Sequence, residues 1–376
     1  MLHDHHNTFP KEGTHPMTFS YRRALGVAVV AAAMCAVALA AQYAQGQGPQ
    51  LTVGGLVYTQ YLYQLKDSVN HFNSFDITRA YVNVLGKFSG GVGTRVTLDV
   101  NRPAGDNSLR YRLKYAFATY TPVNSALTFK LGMIHTPWLD WEEALWDYRM
   151  QGQMAMERAI PGAPAGTTGY LTSSDIGFGV DGKWGPDKVN MQLTFVNGEG
   201  YSGGPGDQRK DIEGRVSFRL MDTNDSSRVG GLRLTGYGQY GKPTAGGKRQ
   251  RFLGMLSYRS KAVTLAGEFA VTKDSGAATT QILRDGQVIS GFGVFHFPGS
   301  KAAAIARVDF TKPDKNAPST TPGFTSTRFI AGLSYQLSPN LRLLGDVDWL
   351  SYKNAAPSPA ADAARATGFF QIQFTF

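Results

Sequence analysis

The chain has 376 residues, a formal net charge of +10, 44 glycines, 12% aromatic residues and only 18% charged residues. Soluble domains carry about 25% charged residues, so this composition argues against a pair of ordinary soluble domains. A single cysteine excludes a disulfide framework. Because no apolar run after residue 44 approaches the roughly 20 residues that a membrane-spanning helix needs, any membrane crossing has to be made by strands.

Residues 1–44 are predicted to be a leader followed by a secretory signal peptide. Two arginines precede the uncharged stretch 24–41, which has small residues for cleavage near Ala40, and Met17 is then the true start. Removal of this segment takes away three basic and two acidic residues and leaves a net charge of +9. Because an export signal precedes it, this charge indicates contact with anionic solutes or lipopolysaccharide phosphates rather than nucleic acid.

Sixteen segments of alternating apolar and polar residues follow, from 51–65 to 367–376. Connections after even-numbered segments are mostly short, whereas those after odd-numbered segments are longer, up to the stretch 136–173. A soluble sandwich gives no reason for this sorting, but a membrane barrel has short turns on one rim and long loops on the other. We therefore predict that residues 45–376 form one all-β domain, a transmembrane antiparallel up-and-down β-barrel of about 16 strands.

The last segment ends on an aromatic residue and has two distinct faces. One face carries a row of apolar side chains, namely Phe370, Ile372, Phe374 and Phe376. Such a strand would be an adhesive edge in water, and closing a barrel removes that edge. The segment resembles the C-terminal signature strand of bacterial outer-membrane β-barrels, which implies recognition by the barrel-assembly machinery; the alternative is the final strand of a soluble sandwich.

Alternation also predicts which side chains face the lumen. In 189–195 the apolar residues share one face and the polar residues the other, which suits an apolar exterior and a water-filled channel rather than a packed core. Inward-facing basic residues outnumber acidic ones, and one cluster of cations stands out. We call this cluster the basic patch: Arg79, Arg95, Arg110, Arg112, Lys114 and Lys130. Pore-lining Arg and Lys favour anions; the alternative is that they only hydrate the wall and pair with acids such as Asp99.

The stretch 136–173, here called the long loop, contains three of the five tryptophans. Apolar residues at helical spacing predict a short amphipathic helix after Pro137. We expect the long loop to fold into the barrel and to narrow it, because loops of this length are usually functional or disordered. The alternative is a loop that covers a subunit contact outside. The residues expected to form the constriction are Trp138, Asp140, Trp141, Glu142, Glu143, Asp147, Arg149 and Arg158.

Short motifs around this loop carry a more specific resemblance. The run 131–137, the pair Tyr148-Arg149, the triplet Met156-Glu157-Arg158 and the run 174–177 are similar to the region around the constriction loop of the phosphate-selective porin O/P family. The resemblance implies a sixteen-stranded trimeric porin of the bacterial outer membrane that passes anions. The long loop departs from that family in having five acidic residues against two arginines, and an acidic loop facing the basic patch implies a transverse field, as in general diffusion porins.

The expected function is therefore passive diffusion of small hydrophilic solutes through an anion-leaning channel in a homotrimer. The alternatives are a channel specific for phosphate or an organic acid, and a non-conducting structural or adhesive barrel. No catalytic motif, cofactor or metal is expected, and acidic residues in loops are interpreted as solvated turns rather than calcium ligands. Expected partners are outer-membrane lipid, lipopolysaccharide and small anionic solutes.

Overall fold

Sixteen antiparallel strands pair in sequence order, and the first strand pairs with the last to close a barrel. The prediction of the fold class is thereby confirmed. The strands are β1 (Gln50–Gln64), β2 (Asn73–Lys87), β3 (Val92–Asn101), β4 (Arg110–Tyr120), β5 (Leu127–His135), β6 (Ser174–Trp184), β7 (Val189–Val196), β8 (Asp211–Met221), β9 (Gly231–Gly241), β10 (Lys248–Arg259), β11 (Val263–Ser275), β12 (Arg284–His296), β13 (Ala302–Lys312), β14 (Thr325–Ser338), β15 (Leu341–Lys353) and β16 (Ala366–Thr375).

This computed structural model describes most of the chain after the predicted leader. The described residues are 48–102, 106, 108–158, 169–204, 206–243, 247–275, 284–317, 325–354 and 358–376. The predicted leader and signal peptide, with its start at Met17, lies outside them. Two helices occur in the described part, α1 (Pro137–Trp146) and α2 (Pro359–Ala363). Neither of them is long and apolar enough to cross a membrane.

The closing seam between β1 and β16 leaves no free backbone edge. Gly55 and Phe376 exchange backbone hydrogen bonds, N–H of Gly55 to O of Phe376 at 2.8 Å and N–H of Phe376 to O of Gly55 at 3.0 Å. A Cβ atom at position 55 would come within 2.1 Å of the Phe376 ring, so a larger residue there would require that ring to move. In β16 the side chains of Phe370 and Phe374 are exposed on the outside, whereas Gln371 is buried inside, as the alternation predicts.

Both ends of the described barrel lie on one rim, together with the shorter connections. We call it the short-turn rim, and its connections are 88–91, 121–126, 185–188, 222–230, 260–262, 297–301 and 339–340. The strand ends on the opposite, long-loop rim are those joined in the sequence by 65–72, 102–109, 136–173, 197–210, 242–247, 276–283, 313–324 and 354–365, some of which lie partly or wholly outside the described residues. The predicted sorting is therefore observed, and 222–230 is the longest connection on the short-turn rim.

The outer surface is apolar over the whole circumference. Its exposed large side chains come from strands all round the barrel, for example Leu193, Phe252, Phe329 and Phe370. This is the surface that a hydrocarbon environment requires.

The inner surface is less uniform than the alternation predicts. On β9–β15 inward positions carry apolar side chains as well as polar ones, including Leu253, Met255, Phe292, Ile305 and Leu344, and all of these are buried. They join the long loop in one apolar cluster. The prediction that a water-filled channel rather than a packed core occupies the centre is therefore wrong on this side. A loop folded into the lumen supplies the apolar partners that water cannot.

Candidate functional site in the barrel lumen

The basic patch lies on the inner face of β2–β5, which we call the basic side. Its cations are distributed along the wall from rim to rim, as the strand register shows. Arg110 is opposite Asn101 near the long-loop rim, whereas Lys130 is opposite Thr119 nearer the short-turn rim. The structure therefore brings the six patch residues to one wall, but at different depths.

Three patch cations have carboxylate partners. Arg79 Nη1 lies 2.6 Å from Asp99 Oδ2, and Lys130 Nζ lies 2.5 Å from Asp181 Oδ2. Arg110, whose side chain is mostly exposed at the rim, pairs with Asp106. At these three positions the cations are paired with acids, as the alternative interpretation predicts.

Arg95 and Lys114 are held by neutral groups. Arg95 donates to Thr97 Oγ1 at 2.9 Å and to His135 Nε2 at 3.1 Å, and its guanidinium lies 4.7 Å from the centre of the Tyr115 ring. Lys114 Nζ donates to the Tyr81 hydroxyl at 2.7 Å. Among the described residues no carboxylate lies within 4.0 Å of either cation. Hydrogen bonds and ring faces stabilise these charges without cancelling them.

Arg112 makes contacts of the same kind nearer the long-loop rim. Its guanidinium donates to the Tyr201 hydroxyl at 2.8 Å and to Ser202 Oγ at 2.9 Å, and it lies 4.4 Å from the centre of the Tyr201 ring. Both partners belong to the connection 197–210. This cation is therefore also bound by neutral groups.

A β-bulge places Lys114. In the register of β3 with β4, Thr97 is opposite Tyr115 and Leu98 is opposite Leu113, so Lys114 is an extra residue. Its side chain is nevertheless inside and only 1% exposed. The bulge also turns Tyr115 inward, where its ring stacks on that of His135 at 4.0 Å. Strict alternation misses Tyr115, because a bulge shifts every later side chain of the strand to the other face.

The long loop enters the lumen on the opposite side. Helix α1 begins at Pro137, as predicted, and ends at Trp146. The next residue, Asp147, has a left-handed backbone (φ 59°), and its N–H donates to the carbonyl of Glu143 at 3.0 Å. The three tryptophans of the helix are fully buried. Trp138 packs 5.9 Å from the Tyr237 ring and Trp146 packs 5.3 Å from the Phe292 ring. We call this region, the inner face of β9–β15 with the long loop, the packed side.

Three arginines at the short-turn rim bind the backbone of the helix region. Arg228 donates to the carbonyl of Asp140 at 2.7 Å, Arg259 to that of Ala144 at 2.7 Å, and Arg342 to that of Asp147 at 2.8 Å. The last carbonyls of a helix have no partner within the helix and carry partial negative charge, so the cations at Ala144 and Asp147 stabilise its C-terminal end, whereas Arg228 binds in the first turn. The alternation identified Arg342 as inward, but only the structure shows that it holds the loop.

The acids of the long loop are mostly paired. Asp140 lies 2.6 Å from Arg228, Glu143 lies 2.8 Å from Arg149, and Arg149 also binds Glu157 at 2.6 Å. Asp147 pairs with Arg342 at 3.3 Å, and Arg158 pairs with Asp348 at 3.1 Å. Asp140 and Glu143 keep about a fifth of their side-chain surface exposed and Asp147 about half, whereas Glu157 is buried.

Glu142 does not face the basic patch, so its place in the predicted acidic face of the constriction is wrong. Its side chain is fully buried on the packed side and faces Glu268 of β11. Among the described residues it has no hydrogen-bond donor. Burial, together with the charge of Glu268, raises the pKa of Glu142 well above its ordinary range.

The comparisons with known proteins concern the fold. No family model matches the sequence, and no curated protein matches it either. Among solved structures, an anion-selective porin from Comamonas acidovorans is similar, with a TM-score of 0.60 at 13% identity over 88% of this chain and 100% of that one. The trimer form of OmpT, an outer membrane protein of Vibrio cholerae, gives 0.60 at 11% identity over 88% and 100%. Salmonella typhi OmpF in complex with daunomycin gives 0.58 at 14% identity over 88% and 98%.

The fold therefore belongs to the class of sixteen-stranded porin barrels. At identities this low, the likeness shows the fold alone. The finer resemblance to the phosphate-selective porin O/P family stays a prediction, because no family model matches the chain.

Proposed function

We propose that the chain is a bacterial outer-membrane porin that lets small hydrophilic solutes diffuse through its lumen, with a preference for anions. The barrel, its apolar outer surface and the porin structures that it resembles support the channel. We further propose a homotrimer in contact with outer-membrane lipid and lipopolysaccharide, inserted by the barrel-assembly machinery through β16. One similar structure is described as a trimer form. No cofactor, metal or catalytic step belongs to this proposal.

The anion preference depends on the uncompensated positive charges of Arg95 and Lys114. Both lie inside the barrel at mid-depth, and neither has a carboxylate within 4.0 Å among the residues described. A positive charge in a narrow channel with low-dielectric walls raises the local concentration of anions. The paired cations Arg79 and Lys130 contribute less, because nearby carboxylates compensate their charge. One of the similar structures is an anion-selective porin.

The packed side supports a narrow channel. Helix α1 and its tryptophans occupy the lumen along β9–β15, so solutes have to pass along the basic side. Asp140 and Glu143 lie on the loop, and Asp140 Oδ1 is 4.0 Å from His135 Nε2, which Arg95 of the wall also contacts. This arrangement sets a field across the channel, although Arg228 and Arg149 partly compensate the acids. We expect only small solutes to pass.

The decisive experiment is the reversal potential of single channels in a planar bilayer under a KCl gradient. Wild-type channels are expected to prefer chloride. The double variant Arg95→Gln/Lys114→Gln should lower the chloride-to-potassium permeability ratio by about threefold or more. Arg110→Gln, which removes a paired and exposed cation, is the matched control. Cation preference in the wild type, or equal effects of the two substitutions, would overturn the proposal.

A specific observation favours a second candidate, a structural barrel that conducts nothing. The packed side contains an apolar cluster of buried side chains where a water-filled channel was expected. The same bilayer experiment decides between the two candidates, because a barrel that is properly folded and inserted but carries no ionic current would establish the second.

A further inference from the structure

A row of polar side chains crosses three neighbouring strands on the inner face, away from the basic patch. Glu213 of β8 is opposite Gln239 of β9, and Gln239 is opposite Arg251 of β10. Neighbouring strands are about 4.8 Å apart, so the three side chains stand next to one another. All three are at least nine-tenths buried. They lie near the long-loop rim, since β8 and β10 start there and β9 ends there.

This row lines a cavity of about 330 Å³. Tyr170 and Leu171 of the long loop form part of the wall, with Gly198 and Glu199 of the connection 197–210. The guanidinium of Arg251 lies 5.4 Å from the centre of the Tyr170 ring. The cavity therefore combines an aromatic face and an apolar side chain with a polar floor, which is the usual composition of a small-molecule site.

Two atoms of the row have unused hydrogen-bonding capacity. Gln239 Oε1 and Arg251 Nε are buried and have no hydrogen-bond partner in the part of the chain that the structure describes. A buried polar group without a partner costs about 1–3 kcal/mol. Gln239 and Arg251 both line the cavity, so the row leaves one acceptor and one donor unsatisfied beside it.

The charges bordering the cavity are unevenly compensated. Arg251 Nη1 lies 2.7 Å from Asp274, and Arg249 Nη1 lies 2.8 Å from Asp211. Glu213 accepts only from neutral groups, Thr194 Oγ1 at 3.2 Å and Gln239 Nε2 at 3.2 Å. No basic side chain of the described residues comes within 4.0 Å of it.

The other carboxylates at the cavity differ from Glu213. Asp175 accepts from the backbone N–H groups of Gly198 at 2.7 Å and Gly200 at 3.0 Å, and Glu199 is exposed. Glu213 is therefore the buried carboxylate at this cavity that has neither a basic partner nor a backbone N–H donor among the described residues. A cation from outside the protein would compensate its charge.

We propose that this cavity is a binding site for a small zwitterion that carries an ammonium and a carboxylate group, such as a free amino acid. The ammonium group binds the Glu213 carboxylate beside the Gln239 amide. The carboxylate group accepts from the Arg251 guanidinium, and the aliphatic part packs on Tyr170. Glu213 and Arg251 stand two strand spacings apart, about 10 Å between backbones, with Gln239 between them.

This site goes beyond the proposed channel and is separate from the basic side. Glu213, Gln239 and Arg251 lie on β8–β10, whereas the patch lies on β2–β5. A zwitterion would be held close to the long-loop rim, and anions would still pass along the basic side.

The test is isothermal titration of the full-length protein in detergent with three matched probes. These are L-alanine, propionate, which lacks the amino group, and ethylamine, which lacks the carboxylate. L-Alanine is expected to bind at least about tenfold more tightly than either single-charge probe, since each arm contributes a charge-assisted hydrogen bond. D-Glucose serves as an uncharged polar probe and is not expected to bind.

Two variants test the Glu213 carboxylate and the Arg251 guanidinium separately. Glu213→Gln keeps the side-chain size and should weaken L-alanine binding about tenfold or more, and Arg251→Lys should weaken it by moving the donor. Arg95→Gln, on the basic side, is the control and should leave binding unchanged. Circular dichroism checks that each variant has the wild-type strand content.

Several outcomes would overturn this inference. They are the absence of L-alanine binding to the wild type, equal binding of D-glucose, or affinity that survives both substitutions in folded protein. A wild-type channel that conducts chloride but binds no L-alanine would refute the zwitterion site and leave the porin proposal intact.

Discussion

The basic side and the packed side of one lumen show how the same alternation of residues can serve two purposes. On the basic side, inward positions carry Arg95 and Lys114, which no described carboxylate neutralises. On the packed side, inward positions carry residues such as Met255 and Phe292, which pack against the tryptophans of α1. The difference shows that an inward side chain need not be polar in a barrel when another segment of the chain covers it.

Removing an aromatic ring from the packed side should have the largest effect on the difference between the two sides. Trp141→Ala deletes a fully buried indole against which Arg215 stacks at 4.1 Å. We expect a loss of about 3–5 kcal/mol in unfolding free energy and a larger single-channel conductance, because the long loop loses part of its anchor. Thermal unfolding and bilayer recordings measure the two effects. Trp184→Ala, on the outer surface at the short-turn rim, is the control, and equal losses in both variants would contradict the assignment.

Weakening the arginine contacts to the helix should have the next largest effect. Arg259→Gln removes the donor to the carbonyls of Ala144 at 2.7 Å and Leu145 at 3.2 Å. Loss of a charged hydrogen bond costs about 1.5–3 kcal/mol, so the loop should undock more often. Single-channel traces should then show more frequent transitions between conductance levels. If a correctly folded variant shows transitions between conductance levels as rarely as the wild type, the docking of the helix does not depend on this contact.

The buried pair Glu142 and Glu268 predicts a dependence on pH. Below the ordinary glutamate pKa of about 4.3, the carboxyl of Glu142 is neutral in both folded and unfolded chains, and the docked loop keeps its full stability. As the pH rises above about 4.3, the unfolded chain ionises while the folded chain resists, so stability falls until the raised pKa of Glu142 is passed.

Glu142→Gln should remove that loss and raise the unfolding free energy at alkaline pH by about 1–3 kcal/mol. Unfolding followed by circular dichroism at several pH values measures it. Glu199→Gln, at an exposed carboxylate, is the control. A wild-type protein whose stability does not fall with rising pH would contradict the prediction.

The smallest effect is expected at the rim of the basic side. Arg110 is exposed and paired with Asp106, and exposed ion pairs contribute about 0–1 kcal/mol. Arg110→Gln should change chloride preference slightly at low salt and not at all at high salt, because salt screens exposed charges. A shift of the reversal potential that persists at high salt would show that this residue acts within the narrow part of the channel.

Several features of the fold were predictable because they depend on short-range periodicity. The number of strands, the sorting of short and long connections and the outward row of β16 all follow from residues two apart along the chain. Helix α1 was also predictable, since Pro137 and apolar residues at helical spacing are local signals. The predicted leader at 1–44 stays a prediction.

The candidate site was only partly predictable. The inward positions of Arg79, Arg95, Arg112 and Lys130 follow from alternation, but their partners come from other strands and loops. The bulge that leaves Lys114 as an extra residue has no signal in a strict period of two. The orientation of Glu142 away from the basic patch depends on how the loop docks against β11.

The sequence by itself thus determined that the chain forms a closed barrel with an apolar exterior, because every strand needs a paired edge and a lipid-compatible face. Tertiary structure alone decided which cations keep an uncompensated charge and where the lumen is dry. Those properties arise from contacts between residues far apart in the chain, and such contacts leave no trace in the spacing of neighbouring residues.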